Sequence, residues 1–142
     1  MKNNYIFTDI DGVLNPHWRK KWDKTSIKIY NQVCKEFNLK PVITSTWRIN
    51  HNKEELQEIF NKQGIEVEIY DYTPDLDMID RGQEIKTWLD NNQCDNYVVI
   101  DDRTADIEPY VNNVVKCRSW LGLSNDEYLE IKNFLLKQIK NN

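Results

Sequence analysis

A chain of 142 residues, 39% hydrophobic and 30% charged with four glycines and four prolines, has the composition of one folded domain rather than a disordered or fibrous segment. Its net charge of −4 supplies no global field for a polyanion, so contact with nucleic acid has to use a local basic patch. Cys34, Cys94 and Cys117 lie far apart without metal-ligand spacing, as expected of reduced thiols in a cytoplasmic protein, and no secretory leader or membrane span is expected.

In chain order, NYIFTD (4–9) reads as a strand. A helix is expected from Thr25 or Ser26, because Ile27, Tyr30, Val33, Cys34 and Phe37 recur at helical spacing, and it ends near Asn38. KPVITS (40–45) is a second strand, with Pro41 tolerated near its start. NKEELQEIFNKQG (52–64) is a helix with a stripe of Leu56, Ile59 and Phe60 and a glycine C-cap at Gly64. IEVEIY (65–70) alternates as a half-buried edge strand, and an acidic irregular loop follows over 71–80. RGQEIKTWLDNN (81–92) is a helix with Ile85, Trp88 and Leu89 inward. NYVVID (96–101) is a short apolar run suited to a strand buried on both faces. NNVVKC (112–117) is a fifth strand, and SNDEYLEIKNFLLKQIK opens on a Ser124–Glu127 capping box into a long amphipathic helix. Strand and helix alternate without a linker or repeat, which implies one three-layer α/β domain over 1–142, a Rossmann-like parallel sheet with helices on both faces.

In such a sheet, ligands bind beyond the carboxyl ends of the strands. The first strand delivers Asp9 and Asp11, which on a continuing strand would face the same way and repel. The second delivers Thr44, Ser45 and Thr46, then Trp47 and Arg48. Arg81 opens the helix after the acidic loop, and the central NYVVID strand delivers Asp101 and Asp102, then Arg103. Several carboxylates on one rim call for a cation, and oxygen-only ligands of this kind suit Mg2+ with a phosphate oxygen. A calcium loop does not fit, since a glycine at its sixth place would put Phe7 first and Trp18 twelfth.

DIDGVLN resembles the first motif of the haloacid dehalogenase (HAD) superfamily of phosphatases. The hydroxyl ending VITS, the basic Arg81 and VVIDD resemble its second, third and fourth motifs, in order, across residues 6–104. More narrowly, STWR, RGQEIKTWL, YVVIDDR and GLS resemble the HAD domain of Swiss Army Knife RNA repair proteins, and IDDRT is similar to the phosphatase half of phage polynucleotide kinase/phosphatase. The resemblance implies a HAD-like phosphatase that removes a phosphate from a polynucleotide end, RNA or DNA, with a 3′-phosphate or 2′,3′-cyclic phosphate favoured. It implies Asp9 as nucleophile and metal ligand, and Asp11 as general acid/base whose backbone carbonyl also meets the metal. Ser45 would hold the phosphate, with Thr44 and Thr46 as alternatives, and Arg81 would neutralise the intermediate, with Lys86 as its rival. Asp102 would touch the metal directly and Asp101 would support it. The chain has no P-loop, so no kinase activity is expected from it.

The gaps between motifs hold a loop, a helix or a short strand each, so a capless or minimally capped, open site is expected. HWRKKWDK (17–24) lies in the first gap and interleaves Arg19, Lys20, Lys21 and Lys24 with Trp18 and Trp22, a pattern that can track a phosphate backbone and stack on a base. A packed helical turn gives the same tryptophan spacing. Arg48 and Arg103 are expected to grip the scissile or adjacent phosphate, whereas Trp47, Trp88 and Trp120 read as core. Alternatives are a phosphatase of nucleotides or other small phosphomonoesters and, more remotely, a receiver-like or nucleic-acid-binding module. Oligomeric state stays open.

Overall fold

The computed structural model describes residues 2–16, 22–77 and 79–141. The strands β1 (Asn4–Thr8), β2 (Lys40–Ile43), β3 (Asp71–Tyr72), β4 (Asn96–Asp101) and β5 (Val114–Lys116) form one sheet in the order β3-β2-β1-β4-β5. Every pairing is parallel, with Thr8 beside both Ile43 and Ile100 and Asp101 beside Lys116. The helices are α1 (Lys24–Glu36), α2 (Trp47–Asn50), α3 (Lys53–Lys62), α4 (Arg81–Asn91) and α5 (Asn125–Asn141). None among the described residues is long and apolar enough to cross a membrane.

Alternation along the strands divides the core. Ile6, Ile43, Val98 and Ile100 pack with α1, α3 and α5 through residues such as Tyr30, Phe60 and Leu135. Tyr5, Phe7, Val42 and Val99 face the opposite way and meet Ile85 and Trp88 of α4 with Ile107. The period-2 strand pattern thus makes the three layers, and the fold is the expected HAD-like α/β one. The chain winds outward from β1 to β3 and then restarts at β4 on the other side of β1. That reversal opens a crevice beyond the ends of β1 and β4.

Three local expectations change. Residues 65–70 form no ladder; β3 is only Asp71–Tyr72. Side chains satisfy much of that backbone: Gln57 takes the Ile69 N–H at 2.6 Å and donates to the Val67 carbonyl, and Asn31 takes the Glu66 N–H, while the Tyr70 N–H donates to the Pro41 carbonyl at the edge of β2. The short helix α2 occupies WRIN directly after the second strand, where no helix was expected. Trp120 is 53% exposed rather than core. By contrast Trp22 is buried, edge-on to Trp47 and Phe60, which is the packing reading of its spacing. The gap between β1 and β2 holds α1, and that between β2 and α4 holds α2, α3 and β3; neither carries an inserted cap among the described residues.

Candidate functional site

β1 ends at Thr8 and the chain turns at once, because Val13, Leu14 and Asn15 N–H groups all donate to the Ile10 carbonyl. This turn sends Asp9 and Asp11 apart. Asp9, only 5% exposed, joins Asp101 and Asp102 in a cluster whose carboxylate oxygens lie within 4.8 Å of one another. Asp11 is held elsewhere: its carboxylate accepts the Trp47 indole N–H at 3.1 Å and the Asn15 amide at 3.3 Å. The expected like-charge pair is therefore not Asp9 with Asp11 but Asp9 with the aspartates of β4. Gly12 sits at φ +82°, and a Cβ there would overlap the Asp102 carboxylate. Glycine is thus required both for the turn and for the close approach of the two loops.

Arg81 is delivered by the first turn of α4. Its backbone N–H donates to the Asp106 carboxylate at 3.2 Å, and the Gly82 N–H donates to the Asp106 carbonyl at 3.0 Å. A side chain at Gly82 would meet that carbonyl and the Tyr110 ring at 2.7 Å, so only glycine lets α4 dock this closely. The Arg81 guanidinium then lies 3.2 Å from Asp9 and 2.8 Å from Asp101. Lys86, its rival, stands on the exposed face and pairs with Asp90 at 3.4 Å. Helix α4 thus brings Arg81, and not Lys86, to the rim.

The groups of this cluster shift one another's ionisation. Burial, and then the neighbouring Asp101, push the Asp9 carboxyl up to about 8, against the lowering effect of Arg81. Burial likewise raises Asp101. Burial disfavours the Arg81 cation, yet Asp9 and Asp101 outweigh it and hold its pKa above the ordinary value. Three carboxylates gathered within 4.8 Å, two of them beside the Arg81 guanidinium, form a set of oxygen ligands that suits a hard dication. Asp9, Asp101 and Asp102 are the side chains that would hold it.

Facing them are the residues after β2. Ser45 is buried, and its Oγ accepts the Trp47 backbone N–H at 3.2 Å, which leaves its O–H to donate. Thr44 Oγ1 is buried without a hydrogen-bond partner, and Thr46 is an exposed N-cap of α2 whose side chain makes no capping bond. Arg48 departs from expectation. Its side chain is 5% exposed, and it donates to the carbonyls of Thr44, Ser45, Thr73 and Pro74 and to Glu84 Oε1. A guanidinium has five N–H groups, so none is left for a phosphate. Glu84 completes the strut by accepting the Leu76 N–H through its other oxygen. Arg48 therefore positions the Thr44–Ser45 turn against α4, the helix that carries Arg81.

Arg103 is exposed beside the cluster, and its backbone N–H donates to Asp101 at 3.0 Å. Trp18, Arg19 and Lys20 lie outside the described residues. Trp47 packs against the core as expected, and its indole also links the turn after β2 to Asp11, a contact the sequence did not announce. Its place two residues after the motif hydroxyl, in STWR, was the available signal.

The sequence profile of the HAD domain in Swiss Army Knife RNA repair proteins matches residues 5–128, nearly all of the chain and every residue of the rim described above. The protein belongs to that family. No curated protein and no solved structure gives a significant match. Membership in this HAD family points to phosphatase-type hydrolysis, to Mg2+ as the usual cation of such domains and, by the family's description, to RNA repair. The HAD domain's acidic cluster, its buried hydroxyls and its inward arginine are the parts that such chemistry requires.

Proposed function

We propose that this HAD domain is a Mg2+-dependent phosphatase that removes a terminal phosphate from a polynucleotide, a 3′-phosphate or 2′,3′-cyclic phosphate being favoured, in RNA end repair. The observation that carries the reading is Asp9 at the mouth of β1, 3.2 Å from Arg81 and clustered with Asp101 and Asp102. A bound Mg2+ would supply positive charge to keep Asp9 ionised and to offset the phosphate oxygens. An Asp9 carboxylate oxygen forms a bond to phosphorus as the bond to the leaving ester oxygen breaks, and Asp11 gives that oxygen its proton. Asp11 then takes a proton from water, whose oxygen attacks phosphorus and frees Asp9 and inorganic phosphate; a 2′,3′-cyclic phosphate, with two ester bonds, takes a first round that opens it to the monoester and a second that releases phosphate. Ser45, with Thr44 beside it, donates to the phosphate, and Arg81 balances its charge. The Trp47 indole holds Asp11 on the side away from the acidic cluster, so one carboxyl can carry a proton while the other is ionised.

Three free cysteines are consistent with a cytoplasmic setting. The absence of an inserted cap among the described residues supports a large substrate over a small phosphomonoester. The test is phosphate release from end-labelled RNA and DNA with each terminus phosphorylated, compared with mononucleotides. Faster hydrolysis of mononucleotides at equal concentration rejects the polynucleotide reading.

A further inference from the structure

The two flanks of the catalytic rim differ in charge. On the β2–β3 side, the hollow beside Arg81 is bordered by Asp75, Asp77 and Asp106, and the Arg48 guanidinium there is fully engaged. A polyanion leaving the site in that direction meets carboxylates. On the β5 side, an open cavity of about 620 Å3 starts at Asp102 and runs past Arg103, Lys116 and Arg118 to Trp120. It is lined by three cationic side chains in a protein whose net charge is −4; Arg118 is paired with Asp126 and Glu127, which leaves Arg103 and Lys116 to face a ligand beside Asp102.

Its parts are held in place from the same elements that build the catalytic cluster. Lys116 is the register partner of Asp101, so it begins one strand spacing (~4.8 Å) from the acidic cluster. Neither Lys116 nor the Arg103 side chain has an ion-pair partner among the described residues. Arg118 is anchored to the start of α5 through Nη2, which donates to Ser124 Oγ at 3.2 Å and meets Asp126 at 3.4 Å. Trp120 caps a tight turn in which Leu121 and Gly122 N–H groups both donate to the Arg118 carbonyl. Leu123 ties that turn to Val13 and to the Ser26 hydroxyl at the start of α1. A large ring, 53% exposed and without a ring contact among the described residues, is thus presented on an ordered turn.

We infer that this groove is a binding site for the single-stranded segment adjoining the end phosphate, with Arg103 and Lys116 on the backbone phosphates and a base stacked on Trp120. Cations followed by an exposed aromatic are what a sequence-tolerant single-strand site needs, since every base has a π-face and every nucleotide a phosphate. The inference rests on the polynucleotide phosphatase reading and adds the direction in which the strand leaves the active site.

The experiment uses the Asp9→Asn protein, which holds its ligand without turnover, and dye-labelled ten-nucleotide RNA and DNA strands carrying a 3′-phosphate. Fluorescence anisotropy gives affinity at several salt concentrations, and thermal melting confirms that each variant is folded. Adding Trp120→Ala is expected to weaken binding about 5-fold or more at all salt concentrations. Adding Lys116→Gln should weaken it and lower the slope of log K against log salt by about one phosphate contact. Lys62→Gln, on the remote α3, is the control for loss of charge alone. RNA and DNA arms tell which sugar the groove prefers. Unchanged affinity in both folded groove variants overturns the groove, and so does an equal loss in Lys62→Gln. Phosphate release by the wild-type protein from the same strands reads the phosphatase assignment separately. Release with groove-independent binding overturns the groove alone, whereas groove-dependent binding without release overturns the phosphatase reading and upholds the site.

Discussion

Arg81 and Arg48 each carry a largely buried guanidinium into a set of oxygen acceptors, and the two sets are built on opposite principles. Around Arg48 the accounts of charge and hydrogen bonding close: one arginine, one Glu84, and carbonyls that take every remaining N–H. Around Arg81 the arrangement differs: three carboxylates, Asp9, Asp101 and Asp102, crowd together, and among the described residues the guanidinium pairs with Asp9 and Asp101. A closed set fixes geometry and has no capacity for a ligand. A crowd of like charges is one that a bound cation relieves, which is the property the proposed site requires.

The sharpest way to break the contrast is Asp9→Asn. Phosphate release should fall by about a thousandfold or more, because the amide cannot form the phospho-enzyme bond. The melting temperature of the metal-free variant should be no lower than that of the parent, since a crowded carboxylate has been removed. A large loss of stability would mean that the Asp9 cluster is structural after all. Arg81→Ala should lower turnover by about two to three orders of magnitude, as loss of a charge-stabilising donor does, and Lys86→Ala should not substitute for it as a phenotype.

Arg48→Ala should act on stability instead. It leaves Glu84 buried without its partner and four carbonyls without donors, at a cost of about 3–5 kcal/mol in urea denaturation. Arg48→Lys should rescue little of this, because an ammonium offers fewer donors and no planar fork.

The pH dependence follows from the raised Asp9 carboxyl. With its folded value near 8, the group favours the metal-free fold while protonated; that contribution is complete below about pH 4 and is lost as pH rises through about 8. Asp101 has the same sign. Mg2+ binds the ionised cluster, so it should raise the melting temperature by several degrees more at pH 8.5 than at pH 5.5. Equal shifts at both values would place the metal elsewhere. The smallest effect is expected for Lys86→Ala: its exposed pair with Asp90 is worth at most about 0.5 kcal/mol, and turnover should stay within twofold.

Much of this contrast can be read in the sequence, and the part that cannot has a consistent cause. The aspartates, the VITS hydroxyl and Arg81 are visible because a parallel sheet forces strand ends onto one rim. Arg48 is not, because an arginine next to a motif hydroxyl reads the same whether it faces a phosphate or five buried acceptors. Trp120 is misread, and the bond from core-packed Trp47 to Asp11 goes unseen, for a related reason. Tryptophan is common in cores, and nothing local tells that one indole reaches Asp11 or that the other rides an exposed turn. The 65–70 segment has strand periodicity, but Gln57 and Asn31, distant in sequence, satisfy its backbone first.

By itself, then, the sequence determined the layers, the parallel sense of the sheet and which chemical groups stand at the strand ends, because these depend on periodicity and connection rules that act along the chain. Tertiary structure alone decided how the charges are partnered. The turn at Ile10 separates Asp11 from Asp9, Gly12 brings Asp102 in, Gly82 lets Arg81 reach the cluster, and Glu84 holds Arg48 away from it. Electrostatic partnership depends on distances through space, and those exist only once β1, β4 and α4 have packed.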